Sequence, residues 1–245
     1  MLQNKNIVII GGTSGLGLSA AKAFCRLGAK VVAVGRDPET GQQAQQELGA
    51  SALVFTGDAI QENTAAQAIA LCLKEFGRLD GLYHVAGGSG RRMGDGPLHE
   101  ITLEGWQKTL DLNLTSVMLS NQAAIRVFRE AKQGGTILNM GSVLGYSPAP
   151  TYFATHTYAT AKAAIIGFSK SIASYYAPDN IRINVIAPAL VETPMAQRAA
   201  QDASIQDYIR TKQPLDGGRI GRPEDLDHAA AFLCPMVLAL LPGKY

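Results

Sequence analysis

A tyrosine and a lysine stand four residues apart in THTYATAKAA (155–164), a segment that is rich in alanine, contains no proline and is predicted to be helical. Side chains four residues apart lie on the same face of a helix, so Tyr158 and Lys162 are neighbours. A tyrosine has an ordinary pKa of about 10, and a nearby ammonium group favours its ionised form. The pair therefore has the chemistry of a proton donor and its activator, although the same spacing also occurs on ordinary helix surfaces.

A glycine-rich segment, GGTSGLG (11–17), directly follows the apolar run KNIVII (5–10) and opens a predicted helix. In such a strand–loop–helix unit, small residues let backbone N–H groups approach a pyrophosphate at the positive helix N-terminus. A glycine turn without a ligand is the alternative, and the spacing differs from G-x-G-x-x-G. We predict a dinucleotide site formed by Gly11, Thr13, Ser14, Gly15, Leu16 and Gly17.

The end of the second predicted strand, AVGRD (33–37), bears on the choice of dinucleotide. A carboxylate there would bind the adenine ribose hydroxyls and repel a 2′-phosphate, whereas a guanidinium binds a phosphate in bidentate fashion. Gly35 occupies the expected acidic position and Arg36 follows it, which favours NADP(H) over NAD(H). The alternative is that Arg36 is a solvated surface residue and that Asp37 only caps a helix.

These residues must be positioned by alternating strands and helices. The apolar runs at 5–10, 30–35, 52–57, 79–87, 135–142 and 182–189 are typical of parallel strands that are covered on both faces. Helices are predicted at 16–27, from Asp37–Pro38 onward, at 62–76, from Thr102 to about 131, at 155–177 and at 224–234. This alternation predicts an α/β fold, with one doubly wound domain over 1–245 and a mostly parallel sheet with helices on both faces.

The chain resembles the short-chain dehydrogenase/reductase family from residue 5 to about residue 234. Several separated features carry the resemblance: the glycine loop, Asp58 after the third strand, HVAG (84–87), Asn113 in DLNLTS, Ser142 in NMGS, the Tyr158-x3-Lys162 pair and APALVETP (187–194). The resemblance implies a Rossmann-fold, NAD(P)-dependent oxidoreductase that transfers hydride between nicotinamide and a carbonyl or secondary alcohol of a small molecule.

The resemblance also implies roles for individual residues. Tyr158 is the expected proton donor in carbonyl reduction, Lys162 reaches the nicotinamide ribose, and Ser142 holds the substrate oxygen. Asn113 is expected to kink its helix and to hold a water that joins Lys162 to solvent. The remaining expected cofactor contacts are Asp58 and Ala59 at the adenine, Ala86 and Gly87 at the ribose, and Pro188, Thr193 and the neighbouring Val191 toward the nicotinamide.

The sequence gives less information about the residues that bind the substrate. The segment GGSGRRMGDGP (87–97) lies where the family places part of its substrate pocket, and its arginines are candidates to meet an anionic substrate; a mobile solvated loop is the alternative. A lid is predicted over 194–215. The candidate pocket residues are Ser89, Arg91, Leu144, Tyr152 and His156. Thioesters, steroids, sugars and polyols all remain open as substrates.

Four positions depart from the usual family pattern. Ile10 replaces the threonine before the first glycine, His84 and Val85 replace two asparagines of an NNAG motif, and Ala189 replaces a glycine. None of these positions is an expected catalytic residue. We interpret His84 as a structural substitute and not as a catalyst.

The last residues, PMVLALLPGKY (235–245), differ from the ITGQ-type turn and VxVDGG strand with which the family usually ends. One hypothesis is a one-nucleotide frameshift; a natural short ending, with MVLALL as the last strand, is the alternative. In family tetramers the two long helices, here about 102–131 and 155–177, form one of the contacts. We therefore expect a homodimer or homotetramer.

Composition limits the function classes. Hydrophobic residues make up 47% of the chain and the net charge is +2, so neither disorder nor a nucleic-acid surface is indicated. The three cysteines show no metal or redox spacing, and the first apolar run is too short for a membrane segment. We expect a cytoplasmic enzyme with no metal. A catalytically weak nucleotide sensor or interaction module is the alternative; a sugar-nucleotide epimerase or dehydratase normally needs a larger C-terminal domain.

Overall fold

A computed structural model describes residues 2–149 and 151–234 of the chain. Within these residues, six strands form one parallel sheet in the order β3-β2-β1-β4-β5-β6. They are β1 (Asn6–Ile10), β2 (Lys30–Gly35), β3 (Ala52–Thr56), β4 (Gly81–His84), β5 (Gly135–Met140) and β6 (Ile181–Ile186). The predicted α/β fold with a doubly wound sheet is confirmed. The fourth strand is shorter than the predicted 79–87, because Val85 and Ala86 both donate their N–H groups to the Ile10 carbonyl and the chain leaves the sheet there.

Nine α-helices lie in the described residues. They are α1 (Gly15–Arg26), α2 (Pro38–Leu48), α3 (Thr64–Phe76), α4 (Leu103–Leu110), α5 (Ser116–Ala131), α6 (His156–Tyr176), α7 (Gln197–Gln201), α8 (Ala203–Lys212) and α9 (Asp227–Leu233). Local chemistry sets several of their ends. Asp37 accepts the N–H of Thr40 at the start of α2, and Gly77 ends α3 with a φ of 84° that favours glycine.

The single helix predicted from Thr102 to about 131 is interrupted. A π-helical turn at Asp111–Thr115 separates α4 from α5. Within it, Asn113 Nδ2 donates to the Thr109 carbonyl at 2.9 Å, so a side chain takes an acceptor that an α-helix would reserve for the backbone N–H of the same residue. The helix therefore widens at Asn113, which is where the family resemblance implies a kink.

The sheet is buried on both faces, and this explains its continuously apolar strands. Along β1, Ile7 and Ile9 pack into one hydrophobic cluster, while Val8 and Ile10 pack into the other. The first cluster is covered by residues of α1 and α9, such as Phe24 and Ala231, and the second by residues of α3 and α5. Successive side chains of a strand point to opposite faces, so both sets of positions must be apolar.

The predicted lid, residues 194–215, contains a short 3₁₀ turn at Pro194–Ala196 followed by α7 and α8. It has a small apolar cluster of its own, with Ala199, Ile205 and Ile209 buried against Tyr152 and neighbouring side chains. Within the described ranges, no helix combines the length and apolar character that crossing a membrane requires. The tail at 235–245, with its frameshift hypothesis and its alternative as a last strand, lies outside the described residues.

Candidate active site

The glycine loop between β1 and α1 is closely packed against the segment that follows β4. Gly11 has a φ of 87°, and a Cβ at this position would lie 2.6 Å from the Ala86 backbone nitrogen. A Cβ at Gly17 would lie 1.9 Å from the Gly11 carbonyl oxygen. Both positions therefore exclude any larger residue. Gly17 helps to form the loop and does not line the adjoining cavities.

Two adjoining cavities run along the carboxyl ends of the strands. The first, about 530 Å³, contains Tyr158 and is called the Tyr158 cavity; the second, about 550 Å³, contains Arg36 and is called the Arg36 cavity. They share Gly11, Ser14 and residues 86–89 of their linings. Together they form one elongated site past the N-terminus of α1, at the edge where open α/β sheets bind ligands.

Most of the predicted site residues line these cavities. The Arg36 cavity is lined by Thr13, Arg36, Asp58 and Ala59. The lining of the Tyr158 cavity includes Gly15, Leu16, Ser142, Leu144, Tyr158, Lys162, Pro188, Val191 and Thr193. Ala86, Gly87 and Ser89 line both, and Arg91 lines the Tyr158 cavity. The structure thus brings together residues that are separated by up to most of the chain length.

Ser142 is held with its hydroxyl at the Tyr158 cavity. It follows β5 and precedes a short 3₁₀ turn at Val143–Gly145, where its Oγ accepts the N–H of Leu144 at 3.2 Å. The accepted hydrogen bond occupies one lone pair and leaves the O–H free to donate. Ser142 is therefore prepared to donate a hydrogen bond to an oxygen bound in the cavity.

Tyr158 lies beside Ser142, and burial of its phenol raises its pKa, while the neighbouring Ser142 hydroxyl acts in the opposite direction. Burial thus outweighs the preference for the ionised form that a nearby ammonium group gives. Lys162 Nζ lies 5.5 Å from the centroid of the Tyr158 ring, and the desolvation of the phenol dominates. At neutral pH the phenol is protonated.

Lys162 is buried, with 3% of its surface exposed, and its Nζ donates to the Met140 carbonyl at 2.8 Å. Desolvation lowers the pKa of this ammonium group to about 8. The group is therefore charged at neutral pH but loses its proton in mildly alkaline solution. The hydrogen bond to the end of β5 fixes its position relative to Tyr158.

Asn113 holds the loop that follows β4. Its Oδ1 accepts the Gly88 N–H at 3.1 Å and its Nδ2 donates to the Gly88 carbonyl at 2.9 Å. A Cβ at Gly87 would lie 2.7 Å from the same Oδ1, so the loop approaches Asn113 too closely for a side chain there. Asn113 therefore supports the cavity wall at Gly88 and does not line the cavity itself. The water that is expected to join Asn113 to Lys162 stays a prediction.

Asp95, which sequence reasoning missed, caps the helix that carries Tyr158. Its two carboxylate oxygens accept the backbone N–H groups of Thr157 and Tyr158 at 3.0 and 2.9 Å. The residue at the N-cap position, Thr155, makes no side-chain hydrogen bond to the helix. A carboxylate from a remote loop therefore satisfies the first turn of α6. No local sequence signal links residues so distant in the chain.

His84 is buried and neutral. Burial, and secondarily the charge of Lys162, lowers its pKa to about 3. Its Nε2 lies 3.2 Å from the Ala86 carbonyl, which can only accept, so Nε2 carries the proton and Nδ1 accepts from Ser120 Oγ at 2.7 Å. These bonds tie the cavity wall at Ala86 to α5. They agree with the interpretation of His84 as a structural residue.

Two predicted pocket residues lie elsewhere. His156 is exposed at the start of α6 and does not line the Tyr158 cavity, because residues two apart on a helix point to opposite sides. The Tyr152 ring packs on Tyr208, 5.3 Å between centroids, and also lies outside the lining. The backbone carbonyl of Tyr152 instead accepts hydrogen bonds from Arg91 and Arg198. Arg198 belongs to the predicted lid and lines the Tyr158 cavity, and sequence reasoning did not identify it.

Comparison with known proteins places this arrangement among dehydrogenases and reductases. Residues 11–239 match the family model described as enoyl-(acyl carrier protein) reductase. The chain is 30% identical to 2,5-dichloro-2,5-cyclohexadiene-1,4-diol dehydrogenase of Sphingobium indicum, over 99% of this chain and 94% of that protein. It is 31% identical to cis-4-hydroxycyclohexanecarboxylate dehydrogenase of Sinomonas cyclohexanicum, over 96% of this chain and 91% of that protein.

Two further matches bear on activity and cofactor. The chain is 34% identical to inactive 2-(S)-hydroxypropyl-CoM dehydrogenase 2 of Xanthobacter autotrophicus, over 91% of this chain and 94% of that protein. The solved structure of 3-ketoacyl-(acyl-carrier-protein) reductase from Brucella melitensis complexed with NADH superimposes with a TM-score of 0.85 and 29% identity. That match covers 99% of this chain and 96% of that chain.

Proposed function

The chain belongs to the short-chain dehydrogenase/reductase family, whose members are nicotinamide-dependent oxidoreductases, and we propose that it is an NADP(H)-dependent enzyme that interconverts a carbonyl and a secondary alcohol on a small molecule. One observation carries the proposal. Ser142, Tyr158 and Lys162 line a single cavity that continues past the glycine loop to Arg36.

The residues present fit a nicotinamide dinucleotide. Gly11 and Gly87 leave space that a Cβ would fill, and the two adjoining cavities are long enough together for an extended ligand. Ser14, Gly15 and Leu16 at the start of α1 would hold the pyrophosphate, and Thr193 would lie toward the nicotinamide. When bound, the nicotinamide supplies hydride for reduction and accepts it for oxidation.

Ser142 and Tyr158 would handle the substrate oxygen. In reduction, the Ser142 O–H donates a hydrogen bond to the carbonyl oxygen and orients it. The Tyr158 phenol gives its proton to the same oxygen as the C–H bond forms, and it is then reprotonated from solvent. A phenol whose pKa is raised by burial is fully protonated at neutral pH, which suits a proton donor.

Lys162 would stabilise the phenolate that remains after proton transfer. Its ammonium group is charged at neutral pH because its pKa, although lowered to about 8, stays above 7. The hydrogen bond to the Met140 carbonyl keeps the charge beside the Tyr158 ring. Oxidation of an alcohol uses the same groups in reverse, with Tyr158 accepting the hydroxyl proton.

The preference for NADP(H) rests on Arg36. Its guanidinium lines the Arg36 cavity and lies 3.9 Å from the Asp58 carboxylate, with 74% of its side chain exposed, so it is free to meet a 2′-phosphate. A Cβ at Gly35 would lie 1.9 Å from Thr13 Oγ1. An acidic residue at the position that discriminates against NADP(H) would therefore collide with Thr13.

A six-membered ring bearing a hydroxyl or oxo group is the proposed substrate class. Two of the similar proteins are named for hydroxyl-bearing six-membered rings, a cyclohexadiene diol and a hydroxycyclohexanecarboxylate. Beyond Ser142 and Tyr158, the walls of the Tyr158 cavity include Leu144, Phe153 and Ile209. Such apolar walls suit an alicyclic ring.

A catalytically weak nucleotide-binding module is the second candidate. One observation favours it, namely the 34% identity to a protein named as an inactive dehydrogenase. The presence of Ser142, Tyr158 and Lys162 in one cavity favours the enzyme.

A homodimer or homotetramer that contacts through α4, α5 and α6 is part of the proposal, since Met118 and Tyr175 on these helices are exposed. A monodisperse monomer in light scattering would refute it. The proposal also includes a cytoplasmic location, which the three free cysteines support.

The test is a screen of NADPH and NADH oxidation with alicyclic ketones, and of NADP⁺ reduction with the matching alcohols. Tyr158→Phe removes the proton donor without altering the ring, and turnover should fall by at least about a hundredfold while cofactor binding is retained. Unchanged turnover in Tyr158→Phe would refute the proposed role. Cofactor binding without turnover of any substrate would favour the catalytically weak nucleotide-binding module.

A further inference from the structure

Two arginines from different segments meet at the Tyr158 cavity. Arg91 Nη2, from the loop after β4, donates to the Tyr152 carbonyl at 3.1 Å, and Arg198 Nη2, from α7, donates to the same oxygen at 3.3 Å. One carbonyl oxygen has two lone pairs and accepts both bonds. Each guanidinium has five N–H donors, so both keep donors that the Tyr152 carbonyl does not use.

Among the described residues, neither of these two charges is paired with a carboxylate. Within residues 2–149 and 151–234, neither Arg91 nor Arg198 forms a salt bridge. Asp95 lies near Arg91, but its two oxygens already accept the amides of Thr157 and Tyr158. Partial desolvation and the neighbouring Arg198 lower the pKa of Arg91, while the Asp95 carboxylate raises it. Two like charges thus lie close together, and no carboxylate of residues 2–149 and 151–234 forms a salt bridge with either.

The rest of the cavity lining adds to this excess of positive charge. Its described residues include four cationic side chains, Arg91, Lys162, Arg198 and Lys212, and no Asp or Glu. Lys162 is buried near Tyr158, whereas both arginines are exposed. Apolar side chains such as Leu144 and Phe153 line the same cavity. A ligand in this cavity therefore meets polar reacting groups, apolar walls and exposed guanidinium groups.

We propose that Arg91 and Arg198 form a carboxylate-binding subsite, so that the substrate is an alicyclic secondary alcohol, or the matching ketone, that carries a carboxylate. This inference rests on the proposed function and names the substrate class for the same site. A carboxylate has two oxygens that accept hydrogen bonds from two guanidinium groups at once. The similar protein named for a hydroxycyclohexanecarboxylate is consistent with such a substrate.

The carboxylate positions the ring and takes no part in the redox step. In oxidation, the carbinol C–H bond breaks and its hydride passes to NADP⁺, while the hydroxyl proton leaves through Tyr158 to solvent. The products are a ketocarboxylate and NADPH, and the carboxylate is unchanged. Because the carboxylate takes no part in bond making or breaking, its loss should weaken binding and orientation without abolishing the chemistry.

The test compares cis-4-hydroxycyclohexanecarboxylate with its neutral carboxamide as substrates, with NADP⁺. The wild-type enzyme should prefer the carboxylate by about 10- to 100-fold in kcat/KM, the range of a charge-assisted hydrogen bond. Arg91→Gln and Arg198→Gln should each remove most of this preference, because kcat/KM falls far more for the carboxylate than for the carboxamide. Acetoacetyl-CoA serves as a third substrate, since its anionic groups lie far from its carbonyl.

Arg210→Gln is the matched control, because Arg210 lies on the lid helix α8, pairs with Asp207 and does not line the cavity. It should keep the wild-type preference. Equal kcat/KM for carboxylate and carboxamide in the wild-type enzyme would overturn the subsite, as would equal losses on both in the arginine variants. A preference for acetoacetyl-CoA over both ring substrates would also overturn it.

Binding separates the subsite from the proposed function. Cyclohexanecarboxylate and cyclohexanecarboxamide, neither of which has a hydroxyl to oxidise, are titrated calorimetrically into the protein saturated with NADP⁺. The carboxylate should bind about 10-fold or more tightly, and the difference should vanish in Arg198→Gln. This preference in a protein without turnover would support the subsite and refute the enzyme. Turnover of ring alcohols without this binding preference would support the enzyme and refute the subsite.

Discussion

The Asp95 carboxylate accepts the backbone N–H of Tyr158 at 2.9 Å, across 63 positions of the chain. The same carboxylate accepts the N–H of Thr157, so the first turn of α6 is held by the loop after β4 and not by its own N-cap residue. That loop is in turn tied to Asn113 through Gly88. The proposed proton donor is thus positioned by two residues that do not line the cavity themselves.

Replacing Asp95 should therefore affect both stability and catalysis. Asp95→Ala should lower the free energy of unfolding by about 1–2 kcal/mol, the usual cost of losing a helix cap. Asp95→Asn keeps one acceptor oxygen and should lower kcat about 10-fold while the KM for NADPH stays within about twofold, because Tyr158 shifts relative to the substrate oxygen. Denaturant unfolding and steady-state kinetics measure the two effects.

Thr102→Val is the control for Asp95, since Thr102 Oγ1 caps α4 by accepting the Gly105 N–H at 3.0 Å. It should lower stability by a similar amount and leave kcat near the wild-type value. If Asp95→Asn loses no more activity than Thr102→Val, Asp95 is only a cap and does not position Tyr158.

The buried Lys162 should make stability depend on pH in an unusual direction. Its native pKa, about 8, lies below its unfolded value, so above pH 8 the unfolded chain binds more protons and stability rises with pH. Between pH 7 and pH 9 the wild-type protein should gain about 1 kcal/mol relative to Lys162→Met, which has no titrating group. The measurement is the free energy of unfolding at each pH for both proteins. A constant difference would show that the Lys162 pKa is ordinary.

Lys162→Met should also lose activity while remaining at least as stable as the wild type at pH 7. Burying an ammonium group is costly, and the variant removes that cost together with the charge beside Tyr158. A variant that is both inactive and unfolded would contradict this separation of stability from function.

His84 should make the protein sensitive to acid. Its native pKa, about 3, lies far below the unfolded value of about 6.5, so the unfolded chain binds more protons between these values and stability falls as the pH drops. From pH 7 to pH 5 the wild type should lose about 2 kcal/mol relative to His84→Asn. His99→Asn, at an exposed histidine, should behave as the wild type. Parallel pH curves for the wild type and His84→Asn would contradict a buried neutral histidine.

Arg36 should determine the preference between the two nicotinamide cofactors. Arg36→Gln should raise the KM for NADPH about 10-fold or more, because a charge-assisted contact to the 2′-phosphate is lost, and should leave the KM for NADH within about twofold. Arg26→Gln, at an arginine outside both cavities, should change neither value. An equal rise for both cofactors would show that Arg36 acts on the adenosine and not on the phosphate.

The sequence alone was sufficient for features that depend on neighbouring residues. Continuous apolar runs predict parallel strands, because only strands covered on both faces bury every side chain. The glycine loop, Ser142 and the Tyr158-x3-Lys162 pair were identified because each belongs to a short motif at a strand end or on one helix face. The local backbone of such a motif fixes the relative positions of its residues. Ser142, Tyr158, Lys162 and most residues of the glycine loop line the two adjoining cavities, whereas Gly17 does not.

The tertiary structure decided what depends on contacts between distant segments. It assigned Asp95 to the cap of α6, brought Arg198 beside Arg91 and turned His156 to solvent. It also set the direction of the Tyr158 pKa, since spacing predicts a neighbouring charge but not how much water the phenol loses. Hydrogen-bond partners and burial depend on how the chain packs. Packing brings together segments that are far apart in the sequence, and the sequence pattern does not show which of them will be in contact.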